Sequence, residues 1–442
     1  MLVYYNYQVK KTMPDKLIIE GKNKLEGVID IKGSKNAATP IIAATLLTSE
    51  PCVLDNIPLV DDVRKMLEII RKMGAEVEFL EERKVKIVAK NIDPKKLDFS
   101  LVNKMRSSIL LIGPLVARFG FFKIPQPGGC VIGSRPIDVH LSALKKMGVS
   151  IEEFGLKKNG SRSSNIYHFK TKRKLKGKEI VLDEFSVTAT ENILMAAALT
   201  QGKTVIKIAA AEPHVSDLAL FLRKMGAEIK GEGTNTIEVK GKESLKGATH
   251  EITYDYMEAG TFILLSLATG GSVRIENVPT EQLSLLLAKL KSFGGKLKIE
   301  KNAVTTSPSK NLKINKVQTM PYPGIPTDLQ APLGVLSTQA KGLTLIHDTL
   351  YEGRLKYLEE LNKMGAEIVV CDPHRAIING PTRLHGVSLD PLDLRSGAAL
   401  IIAGLIAEGT TIIRDISQAD RGYEEIDKRL RKVGAKIKRI KQ

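Results

Sequence analysis

One short motif recurs six times along the chain and constrains its fold more than any other feature. It first occurs as Lys72-Met73-Gly74-Ala75-Glu76-Val77. Related strings follow at intervals of roughly 70 residues, at 146–149, 224–229, 292–295, 363–368 and 432–437. This interval is too long for a solenoid repeat and suits a small α/β unit that is used six times.

Each copy combines a helical and a strand pattern. Before the Gly, apolar residues recur with helical spacing, as at Leu218, Leu222 and Met225. The Gly suits a helix C-terminus because it adopts a left-handed conformation at little cost. After it, apolar and polar residues alternate, as at Val77 and Phe79, which predicts a β-hairpin.

A second helix is predicted upstream in each copy. Three examples are Ala37–Leu47, Glu191–Leu199 and Gly397–Ala407, each apolar on nearly every face and followed by a strand pattern. Helices of this kind are usually buried. The predicted unit is therefore strand–helix–strand–helix–hairpin, with the first helix inside and the second on a more exposed face.

The two chain ends indicate how the units are divided. The sixth copy stops at Gln442, before the second strand of its hairpin, and the segment 17–27 resembles the missing piece. We therefore expect an α/β protein of two domains with three units each. One domain would span residues 35–251, and the other would combine residues 1–34 with residues 252–442.

Charge and composition narrow the class of ligand. The net charge is +18, but the lysines are spread over every segment, aromatic residues are few and Trp is absent. A basic surface for small anions therefore fits better than a nucleic-acid platform that stacks bases. We find neither a membrane-spanning run nor a signal-peptide pattern. Three cysteines do not indicate a disulfide framework, so a reducing cytoplasm is expected.

Polar residues gather where the inner helices are predicted to start. Ser186 and Asp393 are ordinary helix caps. Capping does not explain Lys35, Arg106 or Arg395, because a cation at a helix start opposes the helix dipole. A bound anion would remove this conflict.

The second junction of the second unit is unusually long. It runs from 125 to 140 and contains Cys130 and Arg135 among several glycines, which suits a mobile lid with a reactive thiol. By contrast, Cys52 and Cys371 fall inside predicted strands and are interpreted as unreactive apolar side chains. With no metal-ligand cluster or nucleotide motif, we expect acid–base chemistry on an anionic substrate without metal or organic cofactor.

Several longer motifs then resemble one known family, the UDP-N-acetylglucosamine 1-carboxyvinyltransferases, which are related to 5-enolpyruvylshikimate-3-phosphate (EPSP) synthase. These motifs lie at 33–38, 105–108, 127–138, 323–330 and 393–395. The resemblance implies two inside-out α/β barrels that close over substrates bound between them. It also implies transfer of the enolpyruvyl group of phosphoenolpyruvate to the 3′-hydroxyl of UDP-N-acetylglucosamine by addition and elimination, with release of phosphate. Peptidoglycan synthesis begins with this step.

The resemblance also implies residue roles. Cys130 would be the loop thiol and proton donor, alkylated by fosfomycin, and Asp328 the base near the sugar hydroxyl. Lys35, Arg135 and Arg421 would hold the phosphate of phosphoenolpyruvate, with Arg354 and Arg395 near its carboxylate. The remaining substrate contacts would come from Asn36, Arg106, Pro136, Ile137, Asp138, Val139, Glu184, Phe185, Ser186, Val187 and Leu350. Two positions depart from the family pattern: some members have Lys in place of Glu184, and many have Gly in place of Thr188.

Three alternatives remain open from the sequence. EPSP synthase shares the expected fold and chemistry but lacks the Cys loop. RNA 3′-phosphate cyclase uses related units but needs nucleotide-dependent chemistry, whose motif is not found here. A catalytically inactive relative would bind nucleic acid through its basic surface, and salt-sensitive binding without turnover would reveal it.

Overall fold

The computed structural model describes residues 15–128, 132–133, 136–155, 165–171 and 174–441. Helices and small β-sheets alternate along these residues, which confirms the predicted α/β class. Cys130 and Arg135 lie outside the described residues.

The strands are short. Those of the N-terminal half are β1 (Lys16–Glu20), β2 (Glu26–Asp30), β3 (Cys52–Asp55), β4 (Glu76–Glu81), β5 (Lys84–Val88), β6 (Phe121–Pro125), β7 (Ser150–Gly155), β8 (Asn165–Lys170), β9 (Glu179–Val181), β10 (Lys203–Lys207), β11 (Glu228–Lys230), β12 (Thr236–Lys240) and β13 (Thr249–Glu251). Those of the C-terminal half are β14 (Ser272–Glu276), β15 (Lys296–Glu300), β16 (Ala303–Ser307), β17 (Lys316–Gln318), β18 (Gly342–His347), β19 (Glu367–Asp372), β20 (Arg375–Gly380), β21 (Ser388–Leu389), β22 (Thr410–Ile413) and β23 (Lys436–Ile440).

The α-helices fall between these strands. The first group is α1 (Lys35–Ala44), α2 (Asp61–Lys72), α3 (Phe99–Val102), α4 (Ile112–Phe119), α5 (Asp138–Lys146), α6 (Val187–Ala198) and α7 (Pro213–Lys224). The second group is α8 (Tyr256–Thr269), α9 (Ser284–Ser292), α10 (Gln330–Ser337), α11 (Tyr357–Lys363), α12 (Leu394–Ile406), α13 (Ser417–Asp420) and α14 (Ile426–Lys432). Several helices are preceded by a short 3-10 turn, among them Arg106–Leu111 and Thr327–Leu329.

The strands described form six sheets. Three come from the first half of the chain and have the orders β13-β3-β5-β4, β6-β8-β7 and β11-β12-β10-β9. The other three are β15-β16-β14-β2, β17-β18-β20-β19 and β21-β22-β1-β23. Five of them contain an antiparallel hairpin of the kind predicted after the recurring Gly, such as β4–β5 or β19–β20. In the sixth, β21-β22-β1-β23, strand β1 from the other end of the described chain pairs with β23 in place of a hairpin partner.

The start of the described chain is built into sheets from its C-terminal half. Strand β1 lies between β22 and β23 and pairs antiparallel with both. Strand β2 pairs in parallel with β14. The crossing to the first half follows at Ser34, whose backbone N–H donates to the Thr253 carbonyl at 2.7 Å.

Two hydrophobic cores result. The first takes apolar side chains from Ala37 to Ile252, and the second from Leu17 to Ile31 and from Tyr256 to Ile437. We call the parts around these cores the first lobe and the second lobe. Helix pairs of the predicted inner type lie at the centres, with α4 packed on α6 and α10 on α12. In α6 and α12, which are rich in Ala and Leu, nearly every side chain is buried. This fits sequences that are apolar on every face.

The two cysteines that the sequence places inside strands differ in exposure. Cys52 is buried in β3, and burial raises the pKa of its thiol to about 11. Cys371 lies in β19 but is exposed, because β19 is the edge strand of its sheet and few of its residues are covered. In the described part of the chain, no helix is long and apolar enough to cross a membrane.

Candidate active site between the two lobes

A cavity of about 660 Å³ lies where the two lobes face each other. Cationic side chains enter it from both sides: Lys35 and Arg106 from the first lobe, and Arg354, Arg395 and Arg421 from the second. A cavity with several cations suits a ligand with more than one acidic group, since each anion then finds its own partner.

Helix caps explain how these cations reach the cavity. The Ser34 hydroxyl accepts from the Ala37 N–H at 3.4 Å, and the Asp393 carboxylate accepts from the Arg395 N–H at 2.8 Å. The caps satisfy the free N–H groups at the starts of α1 and α12. The side chains of Lys35 and Arg395, which follow these caps, therefore take no part in capping and line the cavity.

Asp328 is held between two arginines. Its Oδ2 accepts from the Nε of Arg395 at 2.9 Å, and its Oδ1 accepts from Arg354. Its enclosed position would by itself raise the pKa of Asp328, but Arg395, Arg354 and Lys35 together lower it below the ordinary value. Asp328 is therefore ionised across the physiological pH range.

Asp62 joins the lobes and was not predicted from the sequence. This buried carboxylate of α2 lies 3.4 Å from the Nζ of Lys35 and 3.1 Å from the Nε of Arg421. Burial alone would raise the pKa of Asp62, but Lys35 and Arg421 lower it. Asp62 thus places one cation from each lobe side by side at the cavity.

Besides the cations, the cavity is lined by two carboxyl groups, an imidazole and a phenol. Glu191, Glu212, His214 and Tyr256 line it, and each is almost fully buried. Burial raises the pKa of Glu212 to about 7, while burial and the nearby Glu212 raise the pKa of Glu191. These groups were missed because they come from three separate parts of the chain: α6, the start of α7 and the start of α8. The available signal was Glu191, a charged residue inside an otherwise apolar buried helix.

His140 belongs to a buried network at the same cavity. Its Nε2 lies 3.1 Å from the Thr188 Oγ1, and its Nδ1 lies 3.1 Å from the Asn192 Nδ2. Asn192 also donates to the Ile109 carbonyl at 3.0 Å. The network fixes the imidazole at the cavity, which the scattered histidines of the sequence did not indicate.

The structure brings together most of the residues singled out from the sequence. Those that line the cavity are Lys35, Asn36, Arg106, Pro136, Glu184, Phe185, Ser186, Val187, Asp328, Leu350, Arg354, Arg395 and Arg421. Three others are not among the lining residues: Ile137 and Val139 are buried in the first core, and Asp138 is exposed at the start of α5. The roles expected for Cys130 and Arg135 concern residues outside those described.

The described part of the long loop reaches across to the second lobe. Ile132 lines the cavity, and its carbonyl accepts from the Gly353 N–H at 2.8 Å. Gly133 lies so close to the Glu352 side chain that an added Cβ would clash with it. These contacts place Ile132 and Gly133 against the residues of the second lobe that precede Arg354.

Cations from both lobes and a carboxylate held ionised line a cavity that suits anionic ligands, and comparison with known proteins gives the class of protein. Residues 19–430 match the family model of EPSP synthase (3-phosphoshikimate 1-carboxyvinyltransferase). The chain belongs to this family of carboxyvinyl transferases.

Within that family, the chain is similar to UDP-N-acetylglucosamine 1-carboxyvinyltransferases. It is 44% identical over 97% of its length, and 100% of the relative, to that of Caldanaerobacter subterraneus. It is also 44% identical to that of Halothermothrix orenii, over 96% of this chain and 100% of the relative.

Solved structures show the same fold. The enolpyruvyl transferase NikO of Streptomyces tendae has a TM-score of 0.86 at 25% identity, over 97% of this chain and 100% of that one. An EPSP synthase of Acinetobacter baumannii has a TM-score of 0.73 at 20% identity, over 96% and 100%.

Proposed function

We propose that the chain transfers the enolpyruvyl group of phosphoenolpyruvate to the 3′-hydroxyl of UDP-N-acetylglucosamine and releases phosphate. The observation that carries this proposal is Asp328, a carboxylate held ionised by Arg354 and Arg395 in a cavity with cations from both lobes. The activity for which the 44% identical relatives are named, UDP-N-acetylglucosamine 1-carboxyvinyl transfer, supports the choice of acceptor. The step would belong to peptidoglycan synthesis in the cytoplasm.

The cationic groups suit the donor substrate. Phosphoenolpyruvate carries a phosphate and a carboxylate, and the cations form two pairs. Lys35 and Arg421 meet at Asp62, and Arg354 and Arg395 meet at Asp328. We assign the phosphate to the first pair, with Arg135, and the carboxylate to the second. Fixed cations of this kind stabilise the charge that develops as phosphate leaves.

The reaction proceeds by addition and elimination. Asp328 accepts the proton of the attacking 3′-hydroxyl, the oxygen bonds to C2, and C3 takes a proton from Cys130. Elimination then returns a proton from C3 to the Cys130 thiolate and breaks the bond between C2 and the phosphate oxygen, so that the carbon–carbon double bond forms again. Phosphate leaves, and Asp328 gives up the hydroxyl proton to it through solvent. Asn36, Arg106 and the segments 135–139 and 184–187, with Leu350, position the nucleotide and the sugar. No metal or organic cofactor enters this scheme.

The architecture that we propose for this reaction is a pair of inside-out barrels with three units each. Residues 35–251 form one domain, and residues 1–34 with 252–442 form the other. Six small sheets and two separate hydrophobic cores support this division. The substrates would bind between the domains and bring them together.

An assay with two acceptors tests the proposed function. Phosphate release from phosphoenolpyruvate is measured with UDP-N-acetylglucosamine and, separately, with shikimate 3-phosphate. We expect release with the nucleotide sugar and a product heavier by one enolpyruvyl group in the mass spectrum. Release only with shikimate 3-phosphate would instead make the chain an EPSP synthase.

A further inference from the structure

Glu212 makes a contact between the lobes that the reaction scheme does not use. It precedes the first turn of α7 in the first lobe and is 7% exposed. Its Oε1 accepts a hydrogen bond from the backbone N–H of Tyr322, which belongs to the second lobe, at 3.4 Å. Both residues line the cavity.

The segment that contains Tyr322 leads directly to Asp328. It is folded on itself: the Met320 N–H donates to the Ile325 carbonyl at 2.9 Å, and the Gly324 N–H donates to the Pro321 carbonyl at 2.8 Å. A 3-10 turn at Thr327–Leu329 follows and carries Asp328. Because the segment is short and internally bonded, a contact that fixes Tyr322 also limits where Asp328 can lie. We call residues 319–328 the Asp328 loop.

The surroundings of Glu212 show that this contact is not simply part of a packed core. Its Oε2, the Glu191 Oε1 and the Tyr256 hydroxyl have no hydrogen-bond partner among the described residues. Buried polar atoms without partners are costly, so their retention at a cavity calls for a functional reason. The Tyr256 ring also packs edge-on against the Tyr322 ring, with centroids 6.4 Å apart.

We propose that Glu212 is a positioning residue for the transfer reaction: its carboxylate fastens the Asp328 loop of the second lobe to the first lobe and so places Asp328 at the acceptor hydroxyl. The catalytic part of this inference rests on the proposed function, whereas the fastening of the loop does not. Burial raises the pKa of Glu212 to about 7, so the strength of the contact changes near neutral pH.

The titratable groups that face Glu212 are Glu191 from α6, Tyr256 from α8 and Tyr322 from the Asp328 loop, with His214 nearby on α7. Burial is what raises the pKa of Glu212 among them. Lys35 and Asp328 act on His214. A carboxylate accepts a hydrogen bond more strongly than a carboxylic acid does. Fastening therefore strengthens as pH rises through the pKa of Glu212.

Two variants and one control separate positioning from folding. Glu212→Ala removes the acceptor, whereas Glu212→Gln keeps an oxygen for the Tyr322 N–H without a charge. Glu243→Gln in the same lobe is the control, because that side chain is 94% exposed. Folding of each variant is checked by its unfolding temperature.

The first measurement is hydrogen exchange at the Tyr322 amide, localised by fragmentation mass spectrometry. We expect exchange about tenfold faster in Glu212→Ala, and within about threefold of wild type in Glu212→Gln and in the control. Unchanged exchange in Glu212→Ala would overturn the fastening.

The second measurement is the pH profile of turnover. We expect Glu212→Ala to lower kcat about tenfold or more, with a smaller change in the KM for phosphoenolpyruvate. Glu212→Gln should recover most of kcat and lose the ionisation near pH 7. If Glu212→Ala fails to fold, the Glu212→Gln profile decides, and an unchanged ionisation near pH 7 would overturn the proposal.

The two proposals fail in different ways. A wild-type protein that turns over neither acceptor would remove the proposed function, and the exchange measurement would still decide whether Glu212 fastens the loop. A wild-type protein with normal turnover and a Glu212→Ala variant with unchanged kcat would overturn the positioning role alone.

Discussion

Asp328 and Arg395 form an ion pair in which the Arg395 Nε donates to the Asp328 Oδ2 at 2.9 Å. Arg354 holds the other carboxylate oxygen, so both oxygens of the proposed base are engaged. A carboxylate bound in this way is a weak base. The carboxylate of phosphoenolpyruvate would compete for the same arginines, and its binding would release Asp328 and raise its pKa. In the proposed reaction, this competition would couple donor binding to activation of the acceptor hydroxyl.

Replacing Asp328 by Asn tests its role as the base. We expect kcat to fall by about 10²–10⁴, the usual contribution of a general base, while phosphoenolpyruvate still binds because Arg354 and Arg395 are freed. Steady-state kinetics and calorimetric titration measure the two effects. Asp183→Asn, on the exposed Lys146 pair, is the control and should leave both unchanged. A loss of donor binding without a loss of kcat would contradict the assignment.

Replacing Asp62 by Asn tests the phosphate site that we assign to Lys35 and Arg421. Asp62 neutralises part of the charge of Lys35 and Arg421, so removing its charge should make inorganic phosphate bind about tenfold more tightly. Calorimetric titration with phosphate measures this change. The neighbouring Asp61→Asn, which removes an exposed pair with Lys65, should have little effect. Weaker binding in Asp62→Asn would mean that Asp62 mainly holds the two cations in place.

The Glu424 carboxylate joins the lobes and is not among the residues that line the cavity. It accepts from the Arg83 Nη1 at 2.8 Å and from the Leu59 N–H at 2.9 Å. Replacement by Gln weakens these charged hydrogen bonds, each of which contributes about 1.5–3 kcal/mol. We expect the KM of the acceptor to rise about tenfold with little change in kcat. Glu300→Gln, in an exposed pair within the second lobe, should leave the KM unchanged.

The raised pKa of Glu212 also predicts that the difference in stability between wild type and Glu212→Gln depends on pH. Its pKa rises from an ordinary 4.5 to about 7 in the folded protein. The protonated form is therefore favoured by folding, and its contribution is full below pH 4.5 and lost as pH rises through 7. Relative to wild type, Glu212→Gln should become more stable by up to about 3 kcal/mol between pH 4.5 and pH 8. Urea unfolding across this range measures the difference.

The variant must be compared with wild type at each pH because His214 acts in the opposite direction. Burial lowers the pKa of His214 from 6.5 to about 4, so this residue costs stability as pH falls below 6.5. The two effects therefore oppose each other in the wild-type protein. A constant difference between Glu212→Gln and wild type would contradict the raised pKa of Glu212.

We expect fosfomycin to alkylate only one of the three thiols. Fosfomycin should modify Cys130 once, as measured by intact mass and peptide mapping. Cys52 is buried with a raised pKa and should not react. Cys371 is exposed and provides the matched control, since Cys371→Ser should keep the adduct and Cys130→Ser should lose it. An adduct that persists in Cys130→Ser would mean that another thiol is reactive.

Much of the fold followed from local patterns in the sequence. The recurring Gly, the apolar inner helices and the alternating hairpins are signals within a few residues, and each depends on the period of a helix or a strand. The cations beside the caps at Ser34 and Asp393 were found in the same way, because a charge that opposes a helix dipole is visible locally. The sequence by itself thus determined the α/β class and the set of helix starts that carry charge.

The tertiary structure decided which of these helix N-termini lie close together and which residues lie between them. Asp62 and Arg421 are separated by 359 positions, and Glu212 and Tyr322 by 110. No local pattern predicts such contacts, because they depend on how the two lobes face each other. The surroundings then alter the chemistry: a carboxyl group has a pKa below its ordinary value at Asp328, where arginines outweigh burial, and above it at Glu212, where burial dominates. Sequence supplied the charged groups, and only their enclosure between the lobes decided which carry a proton.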